Sequence, residues 1–252
     1  MAKHGDKRVA LVTGGTRGLG RATAEHLLGE GWDVAVCGRR EPDGPIVAAD
    51  GEAWFSAADV RDPAMAETLV ADVLARFGRL DLLVNNAGGT PFQPLADSSP
   101  RLLERVVTLN LLAPLYLCRA AFRALRESGG SVVNIASISG KRPSPGTAAY
   151  GAAKAGLINA TESLAMEWGS TVRINTIVVG LVEDVEQVDH YGGPEGVARI
   201  GAALPMGRMV RGSDLGPVVA WLASEAARFI TGTHITVHSG GETPPHLLLA
   251  KS

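Results

Sequence analysis

Short runs of apolar, often β-branched residues alternate along this chain with longer stretches in which apolar positions return every three or four residues. The first pattern suits strands buried on both faces, the second helices that bury one stripe. Strands are therefore predicted at Val9–Thr13, Asp33–Gly38, Trp54–Ala58, Leu80–Asn85, Ser131–Ser137, Val172–Val178 and His234–His238. Helices are predicted at Leu19–Glu30, Pro63–Phe77, Pro100–Glu127, Thr147–Gly169 and Ser213–Ser224, with a kink in the third expected at Pro114. Regular alternation of the two marks βαβ units, so the expected fold class is α/β: a Rossmann-type, doubly wound parallel sheet of seven strands with helices on both faces. No repeat, low-complexity tract or linker divides the chain, so residues 1–252 are read as a single domain. One crossover departs from the pattern. Between Gly38 and Trp54, Pro42, Pro45, Gly44 and Gly51 leave room for at most one helical turn, and that face of the sheet is expected to be thinly covered.

Charge and composition narrow the function classes. The 24 basic and 26 acidic residues nearly cancel to a net charge of -2, which gives no surplus to attract nucleic acid or an anionic membrane surface. Small molecules and copies of the chain itself are the expected partners. With 46% hydrophobic and 20% charged residues the chain has the make-up of a folded globular protein, and its 31 glycines cluster without a period of three. Cys37 and Cys118 each sit in an apolar run and read as buried free thiols, which suits a reducing cytoplasm. The opening MAKHGDKR has no leader-like apolar stretch, and the span Val106–Cys118, broken by Asn110 and Pro114, reads as too short to cross a bilayer, so no membrane segment is expected. The six histidines show no ligand spacing, and no metal site is expected.

The richest local signal is Thr13-Gly14-Gly15-Thr16-Arg17-Gly18-Leu19-Gly20, which follows the first strand and opens the first helix. Gly14 permits a tight turn, Gly18 lets a pyrophosphate approach the backbone, and Gly20 allows helix and strand to pack closely while free N–H groups face the anion. Further motifs follow in sequence: Asp59-Val60 after the third strand, Asn85-Asn86-Ala87-Gly88 after the fourth, Asn110 in the next helix, Ser137 ending the fifth strand, then Tyr150 and Lys154. The T-G-x-x-x-G-x-G spacing together with this series resembles the short-chain dehydrogenase/reductases over nearly the whole chain. The resemblance implies a nicotinamide cofactor held by Gly14, Thr16, Arg17, Gly18, Leu19 and Gly20. It implies that Asp59 and Val60 border the adenine, that Asn86, Ala87 and Gly88 line the cofactor and brace the central strand, and that Gly180 and Val182 contact the cofactor after the sixth strand.

The chemistry also follows from the residues. Tyr150 and Lys154 lie four apart on a predicted helix, hence on one face, where an ammonium would favour the phenolate and lower a pKa near 10. Ser137, at the carboxyl end of a strand, is placed to hold a substrate oxygen. The expected reaction is hydride transfer between nicotinamide and a carbonyl or secondary alcohol, with Tyr150 as general acid/base, Ser137 orienting the substrate and no metal required. By the resemblance, Asn110 would anchor a water in a proton relay behind Lys154, and Tyr150 and Lys154 would also touch the cofactor.

Cofactor preference is expected to be NADP(H) over NAD(H). The second strand ends Cys37-Gly38-Arg39-Arg40 instead of in the carboxylate that would accept a ribose 2′-hydroxyl, and Arg39, Arg40 and Arg17 offer donors for a 2′-phosphate. Two places depart from the family pattern. Val179-Gly180 stands where Pro-Gly is usual and Asp184 where a Thr is usual; an acid there would repel a pyrophosphate unless it turns outward. Near the end, Val237-His238-Ser239-Gly240-Gly241 replaces Val-Asp-Gly-Gly, a change expected to alter a subunit contact.

The stretch 181–209 reads as a substrate lid. Leu181, Val182, Tyr191, Ile200, Leu204 and Met206 either wall an apolar pocket there or pack a short amphipathic helix, and His190 is either a second acid/base or a surface residue. The tail 242–252, with three leucines, and the small residues from Ala148 to Gly156 are consistent with the homo-oligomer, dimer or tetramer, that the resemblance implies. Two functions compete: an NADP-dependent oxidoreductase, and a catalytically weak NADP-binding regulator or scaffold of the same fold. Reduction of a carrier-bound 3-oxoacyl chain stays open within the first.

Overall fold

The computed structural model describes residues 7–184 and 188–244. In chain order its main sheet comprises β1 (Val9–Thr13), β2 (Asp33–Gly38), β5 (Trp54–Ala57), β6 (Leu82–Asn85), β7 (Ser131–Ser137), β8 (Arg173–Val179) and β9 (His234–Val237). They pair in the order β5-β2-β1-β6-β7-β8-β9, all parallel. The seven expected strands and the expected Rossmann-type sheet are present. The order reverses between β1 and β6, and the crevice outside the strand carboxyl ends at such a reversal is where open α/β sheets bind ligands.

Side chains alternate across the sheet, so β1 sends Val9 and Leu11 to one face and Ala10 and Val12 to the other. On the first face they meet Leu69 and Val73 of α2 (Pro63–Phe77) and Leu117 and Leu125 of α4 (Ala113–Ser128). On the second they meet Leu27 of α1 (Gly18–Gly29) and Val219 of α7 (Gly212–Leu222). Each such leucine, fully removed from water, contributes about 1.5–3 kcal/mol. The Asp81 carboxylate ties the start of the sheet together: it accepts from the Val9 amide at 2.8 Å and from Arg79 at 2.7 and 2.9 Å.

The thin crossover contains no helix. It forms a small antiparallel hairpin, β3 (Val47–Ala48) with β4 (Gly51–Glu52), anchored by buried Ile46 and by Arg21, which donates to the Pro45 carbonyl at 2.8 Å. The long third helix also differs from expectation. It runs as α3 (Pro100–Val107), one π turn at Thr108–Leu112, then α4, so the irregularity lies ahead of Pro114. Pro114, just beyond it, has no N–H to offer the Asn110 carbonyl. The continuous run Pro100–Ser128 spans 29 residues with a mean hydropathy of 1.2 in its most apolar window, longer than the span read from sequence. Its Leu117, Ala121 and Leu125 are buried in the core. The remaining helices are α5 (Ala148–Trp168) and α6 (Gly193–Ala203).

Candidate active site

The glycine loop between β1 and α1 has the backbone that its sequence requires. Gly14 and Gly18 sit at φ +61° and +51°, in the left-handed region that side chains avoid. Gly20 is needed for space: a Cβ there would stand 2.3 Å from the Gly14 carbonyl oxygen and 2.4 Å from Asn86 Nδ2. No side chain caps α1 and its first turn holds no acid, so its positive end is presented to the crevice.

The Asn-Asn-Ala-Gly turn after β6 braces that loop. Asn86 Nδ2 donates to the Thr13 and Gly14 carbonyls at 2.9 and 3.2 Å, and the Asn86 and Ala87 amides both donate to Thr13 Oγ1 at 3.0 Å. Asn85 reaches across to Asn134 of β7 at 2.8 Å, and Asn134 donates to Thr161 of α5 at 2.9 Å, a buried polar chain that fixes α5 against the sheet. Gly88 admits two groups where any side chain would collide: a Cβ there would stand 2.9 Å from Asn110 Oδ1 and 3.2 Å from Lys154 Nζ. Asn110 is fully buried in the π turn. Its Nδ2 donates to the Gly89 and Val106 carbonyls, both at 2.9 Å, and its Oδ1 accepts from the Gly89 amide at 3.0 Å. The side chain is therefore a strut for the Gly88–Gly89 turn.

Ser137, Tyr150 and Lys154 converge at the carboxyl end of β7. The Tyr150 hydroxyl is close enough to the Ser137 side chain for that serine to favour the phenolate. Lys154 Nζ lies 5.7 Å from the Tyr150 ring centroid and donates to the Ile135 carbonyl at 2.7 Å. The electrostatics differ from the simple expectation that the ammonium lowers the phenol pKa. Burial pushes Tyr150 above its ordinary value, the nearby Ser137 side chain only partly opposes this, and Tyr191 adds to the rise. Lys154, wholly enclosed, is pushed down by burial to about 8. Desolvation wins for both groups because α5 packs them against the carboxyl end of β7, away from water.

Arg17, Arg39 and Arg40 are all exposed around the end of β2 and the glycine loop. Gly38 faces the Thr16 side chain, 3.0 Å from where a Cβ would stand, which sets Thr16 against the β2 end. Asp59 is bound by Arg61, whose guanidinium holds the carboxyl below its usual range, with Arg39 close enough to add to the effect. Val60 is buried. Cys37 and Cys118 are free, buried thiols, pushed up to about 12 by burial.

The segment after β8 does not turn its acid outward. Gly180 packs on His238, Val182 bridges to Val210, and Asp184 Oδ2 lies 2.8 Å from where a Cβ on Gly18 would stand. Among the described residues of the segment 181–209, expected to be a lid, there is a short helix, α6, preceded by a 3-10 turn at Asp189–Tyr191. The six apolar lid candidates are not gathered into one wall: Leu204 is buried, Val182 joins the core beside α1, and Met206 is exposed. His190 is exposed, 5.1 Å from the Tyr191 ring and 6.4 Å from Phe92. Residues 185–187 of the lid and 245–252 of the tail lie outside the described residues.

Several site residues were not singled out from the sequence. Phe92 closes over Gly146, whose missing side chain is required since a Cβ would stand 2.2 Å from the ring. Arg142 pairs with Glu242, joining the loop before α5 to the end of the chain. A small crevice beside Tyr150 is lined by Leu95, Leu102 and Val106 together with the polar Thr90, Gln93 and Ser98. None of these has a local signature, although the run Gly146-Thr147 before a helix is a signal for close approach.

A family model described as Enoyl-(Acyl carrier protein) reductase matches residues 14–242. The chain belongs to the short-chain dehydrogenase/reductase family. Protein FixR of Bradyrhizobium diazoefficiens is 33% identical over 250 residues, covering 94% of this chain and 87% of its own length. The 3-oxoacyl-[acyl-carrier-protein] reductase FabG of Staphylococcus aureus is 33% identical over 240 residues, covering 92% and 96%. A crystal structure of an actinorhodin polyketide ketoreductase variant with NADPH superposes with a TM-score of 0.85 at 32% identity, covering 95% of this chain and 98% of that one. This short-chain dehydrogenase/reductase is thus an oxidoreductase by family.

Proposed function

We propose that this protein is an NADP(H)-dependent oxidoreductase acting on a carbonyl compound or the corresponding secondary alcohol. The observation that carries the reading is the gathering of Ser137, Tyr150 and the enclosed Lys154 at the carboxyl end of β7. The glycine loop fits a dinucleotide by the left-handed Gly14 and Gly18 and the uncapped start of α1. Arg17, Arg39 and Arg40 would meet a 2′-phosphate, Asp59 and Val60 the adenine, and Asn86, Ala87, Gly88, Gly180 and Val182 the rest of the cofactor. When bound, nicotinamide supplies or accepts the hydride.

The protein side of the reaction follows from the geometry. Tyr150, held as a neutral phenol at neutral pH by its raised pKa, is in the form that donates a proton to a reduced carbonyl oxygen. Ser137, beside the Tyr150 hydroxyl, orients the same oxygen. Lys154 recharges the phenol, and its pKa near 8 lets it exchange a proton close to neutrality. Pro114 withholds an N–H from the Asn110 carbonyl, the basis for proposing that this carbonyl holds the water leading from Lys154 to solvent. NADP preference is supported by the arginines, by the reductase relative and by the NADPH-bound ketoreductase structure. We also propose a homo-oligomer.

The test is a panel of ketones and aldehydes with NADPH and NADH. Tyr150→Phe is expected to lower kcat by at least a hundredfold with nucleotide affinity retained, and Arg39→Asp to reverse the preference toward NADH. Full turnover in the phenylalanine variant would remove Tyr150 as the acid. Tight nucleotide binding with no turnover on any substrate would favour the regulator.

A further inference from the structure

The glycine loop already faces an anion, and that anion belongs to the chain. Asp184 Oδ2 stands 2.8 Å from the Cβ position of Gly18, the first residue of α1, at the residue where the loop would bring a pyrophosphate closest to the backbone. The contact is held in place from behind. The Val210 amide donates to the Leu181 carbonyl at 2.9 Å and the Glu183 amide donates to the Val210 carbonyl at 2.8 Å, so the segment 181–184 is stitched alongside Val210. Arg211 then clamps Glu183, with Nε 2.9 Å from its carboxylate. With Glu183 engaged on Arg211, the next side chain along is delivered to Gly18.

A carboxylate is favourable at this spot for the same reason a phosphate is. The end of α1 carries partial positive charge, its cap offers no side-chain acceptor, and no acid occupies its first turn. We propose that Asp184 acts as an internal occupant of the pyrophosphate position, so that a dinucleotide must displace its carboxylate to bind, and Asp184 thereby sets cofactor affinity. The inference rests on the reading of this loop as the dinucleotide site.

The experiment compares the full-length protein with Asp184→Asn, which keeps the volume and removes the charge, by titration calorimetry with NADPH, NADH and adenosine 2′-monophosphate. The expected result is a Kd at least tenfold lower for both dinucleotides in the variant, about 1.4 kcal/mol. The Kd for adenosine 2′-monophosphate, which has no pyrophosphate, is expected to stay unchanged. Equal or weaker dinucleotide binding by the variant overturns the inference while leaving the dinucleotide reading intact. If neither protein binds either dinucleotide, although both melt cooperatively, the reading of the loop fails and the inference fails with it. Uniform tightening of all three ligands also overturns it, because general charge removal and not displacement at Gly18 would then be the cause.

Discussion

Lys154 shows why a residue's type and spacing do not determine its ionisation. Its position four residues beyond Tyr150 was legible, and the structure sets both on one side of α5. The sign of the electrostatics was not legible, because it depends on enclosure by β7 and by the Gly88 turn, which are distant in sequence. Burial leaves Lys154 with a pKa of about 8, against 10.5 when free, so the folded state binds a proton less readily than the unfolded chain. Between those values the unfolded state carries more protons, and stability rises with pH. Below pH 8 the full cost of burying the charge, about 3 kcal/mol, is present. Lys154→Met should therefore abolish turnover and yet stabilise the protein at pH 7, with the gain shrinking as pH rises from 8 to above 10. Urea unfolding across that range checks this; a variant less stable than the parent at pH 7 would show that the Ile135 contact outweighs the desolvation.

At the scale of elements, the strand and helix periods were readable because each depends on residues a few positions apart. Five of the seven strands begin where the pattern predicts, and α2 matches at both ends. Features that depend on a second segment were not readable. The prolines and glycines between Gly38 and Trp54 foretold the lack of a long helix, but not the hairpin β3–β4 formed there, which Arg21 of α1 holds at Pro45. The π turn needed knowledge of the buried Asn110 strut, which couples α3 to the Gly88–Gly89 turn. Gly20 lies between these cases: its role was visible in the motif, and the structure supplies the magnitude. Gly20→Ala would press a methyl group into the Gly14 carbonyl and Asn86, displacing the loop that they share. Overpacking of this kind costs typically 1–3 kcal/mol. The expected outcome is a lower Tm together with at least a tenfold loss of NADPH affinity. Thermal melting and fluorescence titration of the same sample read both, and undiminished affinity would mean that the loop's shape is not what holds the nucleotide.

For the molecule as a whole, the two edges of the sheet are finished differently. Beyond β5, Trp54 meets Phe77 edge to face at 6.1 Å, and the hairpin lies nearby, so that edge has aromatic and backbone cover. At the opposite edge β9 is four residues long and only half-buried, and the segment entering it carries Phe229, fully exposed, with Trp221 of α7 41% exposed. An open strand edge flanked by large apolar side chains is a surface that another chain can cover. With a net charge of only -2, self-repulsion does little to oppose contact between copies. Burying Phe229 completely would contribute about 1.5–3 kcal/mol per chain. The proposed homo-oligomer is therefore expected to use this edge. Light scattering after gel filtration should give a multiple of the 26.2 kDa chain mass, and Phe229→Glu, which places a charge where the ring would be covered, should shift it toward a smaller species while the circular dichroism spectrum stays the same. A parent protein of 26.2 kDa, or a variant whose mass is unchanged, would place the contact elsewhere or remove it. The physical logic is the same as in the active site, since in both places a group's behaviour is set by what encloses it, and at this edge a second copy would have to provide the enclosure.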